Sequence, residues 1–228
     1  MKSSAATVAI PRQPARRHPL SRWYVSPVAE HFAAWLAPTR IRPVHLTIAG
    51  LLSAVGAAVV LCLWPAMHIW AAPLVLVAWF FDRADGLLAR RQNTSSPWGA
   101  WFDANIDELI DVGLHVAVAA AAARLTGTQL PWFLLVAFLA GKYLFFHGLA
   151  GEQAAGTTGH TQEPSAERTG LLRRFYHLPG NTDIRIHLLV VALLTGYLTV
   201  ELAVVAVYYN VRWTVRYLLV ARRLGGLR

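Results

Sequence analysis

Half of the twelve acidic residues of this chain fall within 30 consecutive positions, from Asp82 to Asp111, between long apolar segments. Carboxylates are the groups that hold hard divalent cations and that move protons in catalysis. The sequence therefore suggests a metal site or an acid–base site inside an apolar protein. The six acids of this stretch are Asp82, Asp85, Asp103, Asp107, Glu108 and Asp111.

The spacing of these acids predicts two helix faces. Asp82 and Asp85 are three residues apart, so they share one face of a helix. Asp103, Asp107 and Asp111 follow one another at intervals of four and form a second stripe. We expect Asp111 to pair with an Arg, or to support the site from outside the metal ligands. Glu108 lies beside the stripe, and we expect it to be structural.

Residues 92–97 (QNTSSP), between the two stripes, have the composition of a turn. They predict an antiparallel helical hairpin whose acidic stripes could face each other. Each Asp at the centre of a membrane helix costs about 2.5–3.5 kcal/mol, so four unpaired ones would cost roughly 10–14 kcal/mol. Pairing with Arg83, Arg90 and Arg91 is one way to lower this cost, and divalent cations are another. Oxygen ligands without a Cys or His cluster favour Mg²⁺ or Mn²⁺.

The composition indicates a membrane protein. Of the 228 residues 56% are hydrophobic and only 14% are charged, with a mean hydropathy of +0.42, whereas soluble domains average about 25% charged residues. The nineteen Arg and two Lys residues separate apolar segments. This distribution favours contact with anionic lipid headgroups and argues against nucleic acid as a partner. The single cysteine, Cys62, has no partner for a disulfide or a Cys-based metal site within the chain.

Six segments have the length of about 20 apolar residues that a bilayer-spanning helix needs. Residues 27–38, before them, are short and amphipathic and predict an interfacial helix. Basic residues concentrate at both termini and in alternate loops, so both termini are predicted to be cytoplasmic. The predicted fold is therefore an all-α integral membrane protein with spans at residues 44–64, 68–91, 99–125, 129–150, 184–200 and 202–222.

The chain is predicted to contain a tail and one domain. Residues 1–22 are basic and lack the apolar run of a signal peptide. We expect a disordered cytosolic tail, with an organelle transit peptide as the alternative, followed by a membrane domain over residues 23–228. The composition of the loop 151–170 fits either a mobile loop or one that covers a site.

The acidic residues belong to a longer pattern, Asp82-x₂-Asp85-Gly86-x₂-Ala89-Arg90-x₈-Gly99-x₃-Asp103-x₃-Asp107. These eight identities match the signature of the CDP-alcohol phosphotransferase family at every fixed position, including the eight-residue gap. Six spans are also the architecture of that family, so the chain resembles it from about residue 22 to the C-terminus. The resemblance implies transfer of a phosphatidyl group from a CDP-linked lipid, such as CDP-diacylglycerol, to an alcohol, with release of CMP.

The resemblance also implies a role for each signature residue. Asp107 would be the general base that takes the proton of the acceptor hydroxyl. Small residues would let the donor lie against helix backbone, and Arg90 would pair with phosphate oxygens. Two divalent ions would be held by Asp82, Asp85, Asp103 and Asp107. The donor-binding residues of the signature would be Gly86, Ala89, Arg90 and Gly99.

Members of the family often carry Pro-Asn-x-x-Thr before the first span, where it helps to bind the nucleotide. This chain has Pro43 and Thr47 at the outer positions, but Val44 stands in place of the Asn. Pro43 and Thr47 are therefore expected to bind the donor, and His45 is a candidate to replace the lost hydrogen bond.

Cations in the last three spans are candidates for binding the acceptor: Lys142, Arg185, Arg212 and Arg216. An intramembrane cation points to a functional site, with snorkelling to lipid headgroups as the alternative. Cations next to a di-metal site favour an anionic acceptor, such as an inositol phosphate or glycerol 3-phosphate. Residues 182–185 also resemble, loosely, a stretch of family members that use inositol phosphates.

Two other classes of protein share part of this pattern. An intramembrane prenyltransferase binds a diphosphate through Asp-rich motifs and Mg²⁺, and a divalent cation transporter binds its ion through carboxylates. Neither needs Gly86, Ala89 and Gly99 at these positions. We expect an enzyme of the cytoplasmic membrane of a bacterial cell, with its site facing the cytoplasm. Its partners would be the donor, the acceptor and membrane lipids, and a homodimer is left open.

Overall fold

The computed structural model describes residues 20–154 and 182–223, and every regular element in these ranges is helical. The predicted all-α fold is confirmed. Most of the predicted tail and of the loop 151–170 lies outside the described residues. Two 3₁₀ helices cover Ser21–Trp23 and Pro65–Trp70. The α-helices of the described part are α1 (Val25–Leu36), α2 (Pro43–Leu63), α3 (Ala71–Arg91), α4 (Pro97–Thr126), α5 (Leu130–Ala154), α6 (Thr182–Thr195) and α7 (Leu198–Arg223).

Four helical segments in the described ranges are long and apolar enough to cross a bilayer. They coincide with the first four predicted spans: Pro43–Leu63, Pro65–Arg91, Pro97–Thr126 and Leu130–Gly148. The last two predicted spans are not confirmed. Helix α6 has only 14 residues, about 21 Å at 1.5 Å per residue, and α7 contains Glu201, Arg212 and Arg216 among its apolar residues.

The break between the last two helices lies earlier than predicted. The predicted spans ended at residue 200 and resumed at residue 202, which left Glu201 in the loop between them. Instead, α6 ends at Thr195, and Gly196 turns the chain with a φ of 80°, a left-handed conformation that favours glycine. Glu201 is buried in the first turn of α7.

Local sequence signals fix the ends of α4. Ser96 is its N-cap, and the Ser96 hydroxyl accepts a 3.0 Å hydrogen bond from the backbone N–H of Gly99. Pro97 occupies the first helical position, where its missing N–H costs nothing. Gly127 ends the helix in the left-handed conformation, at φ 68°. The helix is unbroken between these signals, so the three aspartates of its acidic stripe lie on consecutive turns of one face.

Helix α2 packs against both α3 and α4, whereas α3 and α4 make few close backbone approaches to each other within the described ranges. A Cβ added to Gly50 of α2 would lie 3.3 Å from the carbonyl oxygen of Ala78 of α3, so the two helix backbones approach closely at this crossing. Helices α3 and α4 are consecutive, as the predicted hairpin requires, but they meet through side chains across a gap.

A second pair of helices, α5 and α7, packs as closely as α2 and α3. A Cβ added to Gly141 of α5 would lie only 2.8 Å from the side-chain amide nitrogen of Asn210. The apolar core joins all of these helices. Leu61, Val118, Phe138, Leu193 and Leu202 come from α2, α4, α5, α6 and α7, and each is 0% exposed.

The predicted interfacial helix is present as α1 and packs on α3. Ala29 and Ala33 of α1 are buried against Ala84 and Leu88 of α3, and Trp35 on the opposite side is exposed. Helix α1 therefore has one face bound to the bundle, and its exposed side carries Val28 and Trp35 together with Glu30 and His31.

The segment before α1 is attached to the start of α6. The carboxylate of Asp183 accepts hydrogen bonds from the backbone N–H groups of Leu20 and Ser21, at 2.7 and 3.1 Å. Burial, and then the neighbouring Asp183, raise the pKa of Tyr24 above its usual value. The folded part thus begins before residue 23, the start predicted for the membrane domain.

Candidate active site

The carboxylates of both acidic stripes meet in the gap between α3 and α4. Asp82, Asp85 and Asp103 each contribute an oxygen atom to a group in which all atoms lie within 4.8 Å of one another. Asp107 lies outside this group, but its carboxyl is within hydrogen-bonding reach of Asp82. Asp85 and Asp103 are paired in the same way. The structure therefore brings together the four predicted metal ligands.

This carboxylate cluster has the properties of a divalent cation site. Like charges at such separations repel, and a cation removes the repulsion. Oδ1 of Asp103 is buried and has no hydrogen-bond partner among the described residues, although a buried acceptor without a partner is costly. The cluster consists of carboxylates alone, the donor set that Mg²⁺ and Mn²⁺ prefer. The residues present thus fit the predicted ions.

Thr47 holds one of these carboxylates from α2. Its hydroxyl donates a 2.6 Å hydrogen bond to Oδ2 of Asp85, and both side chains are buried. Such a bond fixes the orientation of a metal-binding carboxylate. The sequence analysis assigned Thr47 to the donor and missed this contact, because the two residues are 38 positions apart.

A first cavity of about 670 Å³ opens beside the cluster, between α2, α3 and the start of α4. Its volume lies within the roughly 300–1,000 Å³ that is usual for small-molecule sites. Asp85 and Asp103 form part of its wall, so the cavity ends at the carboxylates. All the residues predicted to bind the donor line it: Pro43, Thr47, Gly86, Ala89, Arg90 and Gly99.

The two signature glycines face this cavity and not another helix. A Cβ added to Gly99 would meet only the hydroxyl of Ser96, at 3.2 Å. A Cβ added to Gly86 would meet only the guanidinium of Arg90, at 3.5 Å and beyond. These environments differ from that of Gly141, where a neighbouring helix leaves no room. The absent side chains at Gly86 and Gly99 thus leave open space in the first cavity.

Several residues of the first cavity were missed. Arg42 lines it, directly before Pro43, and its place next to a family position could have identified it. His45 was the candidate to replace the lost hydrogen bond, but its Nδ1 accepts a 3.1 Å hydrogen bond from the backbone N–H of Arg42. Val44 lines the cavity.

A second cavity of about 210 Å³ lies on the other side of the cluster, where Asp82 and Asp107 line it. Lys142 of α5 and Arg185 of α6, two of the predicted acceptor-binding cations, also line it. Both bind Asp111: Nη2 of Arg185 lies 2.9 Å from Oδ1, and the Lys142 ammonium donates to Oδ2. Asp111 therefore pairs with an Arg, as predicted.

Arg212 and Arg216 are placed elsewhere. Their guanidinium carbons lie 4.3 and 5.6 Å from the ring centroid of Phe145, within the range of cation–π contacts. Neither residue is among those that line the second cavity. Within the described ranges the four predicted cations thus form two separate pairs.

A buried His–Glu pair adjoins the second cavity and was not predicted. His115, which lines this cavity, lies with Nδ1 2.6 Å from the backbone carbonyl oxygen of Asp111 and Nε2 3.2 Å from Oε1 of Glu201. His115 and Glu201 are 86 positions apart, so no sequence spacing could have indicated this contact.

The fold and site define a helical protein with membrane-length apolar segments around a carboxylate cluster. Residues 40–216 match the family described as CDP-alcohol phosphatidyltransferase, and the chain belongs to this family. The predicted resemblance is confirmed. The family comprises transferases of substituted phosphate groups. Its members use a CDP-alcohol donor and an alcohol acceptor in a membrane lipid context, and generally depend on divalent metal ions.

Two curated proteins show similarity over shorter stretches. Cholinephosphotransferase 1 of Xenopus laevis is 32% identical over 127 residues, which are 52% of this chain and 30% of that protein. Cholinephosphotransferase 1 of Homo sapiens is 40% identical over 65 residues, which are 28% of this chain and 15% of that protein. The matches thus span less than a third of either relative.

Proposed function

We propose that this protein transfers a phosphatidyl group from a CDP-linked lipid to an alcohol and releases CMP. One observation carries this proposal: the carboxylate cluster lies between two cavities. Asp85 and Asp103 line the first cavity, and Asp82 and Asp107 line the second. A donor in the first cavity and an acceptor in the second would meet at the carboxylates.

The first cavity would hold the CDP part of the donor. Arg42 and Arg90 line it and supply charge-assisted hydrogen bonds for phosphate oxygens. Mg²⁺ or Mn²⁺ ions, held by the four aspartates of the cluster, would neutralise the diphosphate and polarise the phosphorus under attack. The missing side chains of Gly86 and Gly99 would leave room for the nucleotide.

Asp107 would act as the general base from the second cavity. It lies outside the close group of three carboxylates and lines the cavity assigned to the acceptor. As the acceptor oxygen bonds to the phosphorus next to the lipid, its proton passes to the carboxylate of Asp107. The bond from that phosphorus to the bridging oxygen breaks at the same centre, and CMP leaves with that oxygen.

An anionic acceptor, an inositol phosphate or glycerol 3-phosphate, is supported by Lys142 and Arg185. Both line the second cavity, where a phosphate group would compete with Asp111 for them. Arg212 and Arg216 lie against Phe145 and are not part of this acceptor site as we propose it.

A choline-type alcohol is the second candidate for the acceptor that binds in the second cavity. The relatives from Xenopus laevis and Homo sapiens are named as cholinephosphotransferases. Both cations of this cavity are already paired, because Asp111 binds Lys142 and Arg185 and Glu108 also binds Lys142. Paired cations favour a neutral or cationic group more than unpaired cations would.

We also infer that α6 and α7 complete a six-span domain over residues 23–228, with both termini in the cytoplasm. Basic residues at the termini and in alternate loops support this orientation. The exposed Trp35 on the outer side of α1 supports a position along the membrane surface. Single-cysteine accessibility from either side of bacterial membrane vesicles tests this topology.

Release of CMP is the experiment that tests the proposed function. Membranes that contain the protein, Mn²⁺ and CDP-diacylglycerol should release CMP only when an acceptor alcohol is added, and a chelator should abolish the release. A panel of inositol phosphate, glycerol 3-phosphate, inositol and choline separates the acceptor candidates. CDP-choline with diacylglycerol, supplied in parallel, tests the transfer of choline phosphate. Failure to release CMP under all of these conditions would contradict the proposal.

A further inference from the structure

An aromatic pair lies in the first cavity beside the signature residues. Trp98 and Phe102 are one turn apart on α4, and their rings are stacked, with centroids 5.2 Å apart and planes at 10°. Both line the cavity. Phe102 stacks on one side of the Trp98 indole, and Trp98 as a residue remains 61% exposed, which leaves room for a ligand beside the ring.

The charges of the cavity indicate which part of a donor would meet this pair. Arg42, Arg90 and Asp103 belong to the lining and suit the diphosphate and its ions. The aromatic pair offers a flat apolar surface in the same cavity. A pyrimidine base is the flat part of a CDP-linked donor, and nucleic-acid bases stack on aromatic side chains through their π faces.

We propose that Trp98 stacks on the cytosine base of the donor and is a donor-binding residue outside the family signature. Phe102 is the positioning residue, because its stacked ring fixes the plane of the indole. This inference rests on the proposed function, but it is independent of the lipid and of the acceptor. It makes the Trp98 side chain a determinant of nucleotide affinity.

Trp101 is a matched control on the same helix. It is 62% exposed, almost the same as Trp98, but it is not among the residues that line the cavity. Tryptophans at a membrane surface can also serve as interfacial anchors. An anchor would affect insertion and stability at either position, whereas stacking would affect nucleotide binding at Trp98 alone.

Binding of CMP to the purified full-length protein in lipid nanodiscs, with Mn²⁺ present, tests the proposal by calorimetry. Trp98→Leu should weaken CMP binding roughly 5- to 150-fold, the range of base–aromatic stacking. Trp98→Phe should retain most of the affinity, and Trp101→Leu should bind like the wild type. Unchanged affinity in Trp98→Leu, or an equal loss in Trp101→Leu, would overturn the proposal.

A second measurement does not depend on the folding of the leucine variant. CMP should quench part of the tryptophan fluorescence of the wild type and of Trp101→Phe, and this part should be missing in Trp98→Phe. Quenching that persists in Trp98→Phe would contradict stacking. A wild type that neither binds nor releases CMP would contradict the proposed function itself. A wild type that releases CMP, with Trp98→Leu equal to it in affinity, would contradict the stacking alone.

Discussion

The hydroxyl of Thr47 on α2 donates a 2.6 Å hydrogen bond to Oδ2 of Asp85 on α3. This bond holds a carboxylate that lines the first cavity. Without the hydroxyl, the carboxylate could rotate away from Asp103. We predict that Thr47→Val weakens Mn²⁺ binding roughly 10- to 100-fold, as is typical when a partner of a metal ligand is removed. The Mn²⁺ concentration that gives half-maximal CMP release measures this effect.

Thr47→Ser is the matched control, because it keeps the hydroxyl. It should require nearly the same Mn²⁺ concentration as the wild type. A Thr47→Val protein with an unchanged Mn²⁺ requirement but a higher KM for the CDP-lipid would show that Thr47 contacts the donor, as the family resemblance implied.

Gly99 should be essential for donor binding and not for the fold. In Gly99→Leu the new side chain would extend into the first cavity, since only the Ser96 hydroxyl lies near the added Cβ. We expect CMP binding to be lost at an unchanged melting temperature. Gly141→Leu is the contrasting variant, and it should fail to fold, because Asn210 occupies the space of its side chain. Normal CMP affinity in Gly99→Leu would refute the assignment of this cavity to the donor.

How far the site could be predicted differs between its parts. The carboxylate cluster depends on short spacings within α3 and α4. Helical periodicity placed its aspartates on two stripes, and the turn composition of residues 92–97 predicted that the stripes could face each other. Ser96 and Pro97, which start α4, are ordinary sequence signals. The contacts that complete the site join distant helices. Arg185 and Asp111, for example, are 74 positions apart, and no local pattern encodes such a pair.

The cations predicted to bind the acceptor show the same limit. Arg212 and Lys142 carry the same charge and both lie in apolar segments, so sequence reasoning assigned them the same role. Lys142 contacts Asp111, whereas Arg212 stacks on Phe145. Rotation about the helix axis decides between these environments, and that rotation is set by packing between α5 and α7, including the close contact of Gly141 with Asn210.

Substitutions of Lys142 and Arg212 should therefore have different effects on the acceptor KM. If an acceptor phosphate binds in the second cavity, Lys142→Gln should raise the acceptor KM roughly 10- to 150-fold, because a charge-assisted contact contributes about 1.5–3 kcal/mol. The donor KM should change little. Arg212→Gln is the control and should leave both KM values near those of the wild type. The measurement is CMP release with glycerol 3-phosphate or an inositol phosphate as the varied substrate.

The melting temperature of each variant must accompany these kinetics, because Lys142 is buried and paired with Asp111. An equal rise of the acceptor KM in both variants would contradict the placement of Arg212. A neutral polyol used as well as its phosphate ester would exclude the anionic acceptor while leaving the chemistry of the carboxylate cluster intact.

Substitution of Asp107 tests the central claim most directly. Asp107→Asn keeps the size of the side chain and leaves Asp82, Asp85 and Asp103 to hold the ions, but it removes the base. We predict that acceptor-dependent CMP release falls about 10²- to 10⁴-fold, the usual contribution of general-base catalysis, while CMP still binds with nearly wild-type affinity. More than about a tenth of the wild-type rate in Asp107→Asn would lie outside that range and would contradict the account.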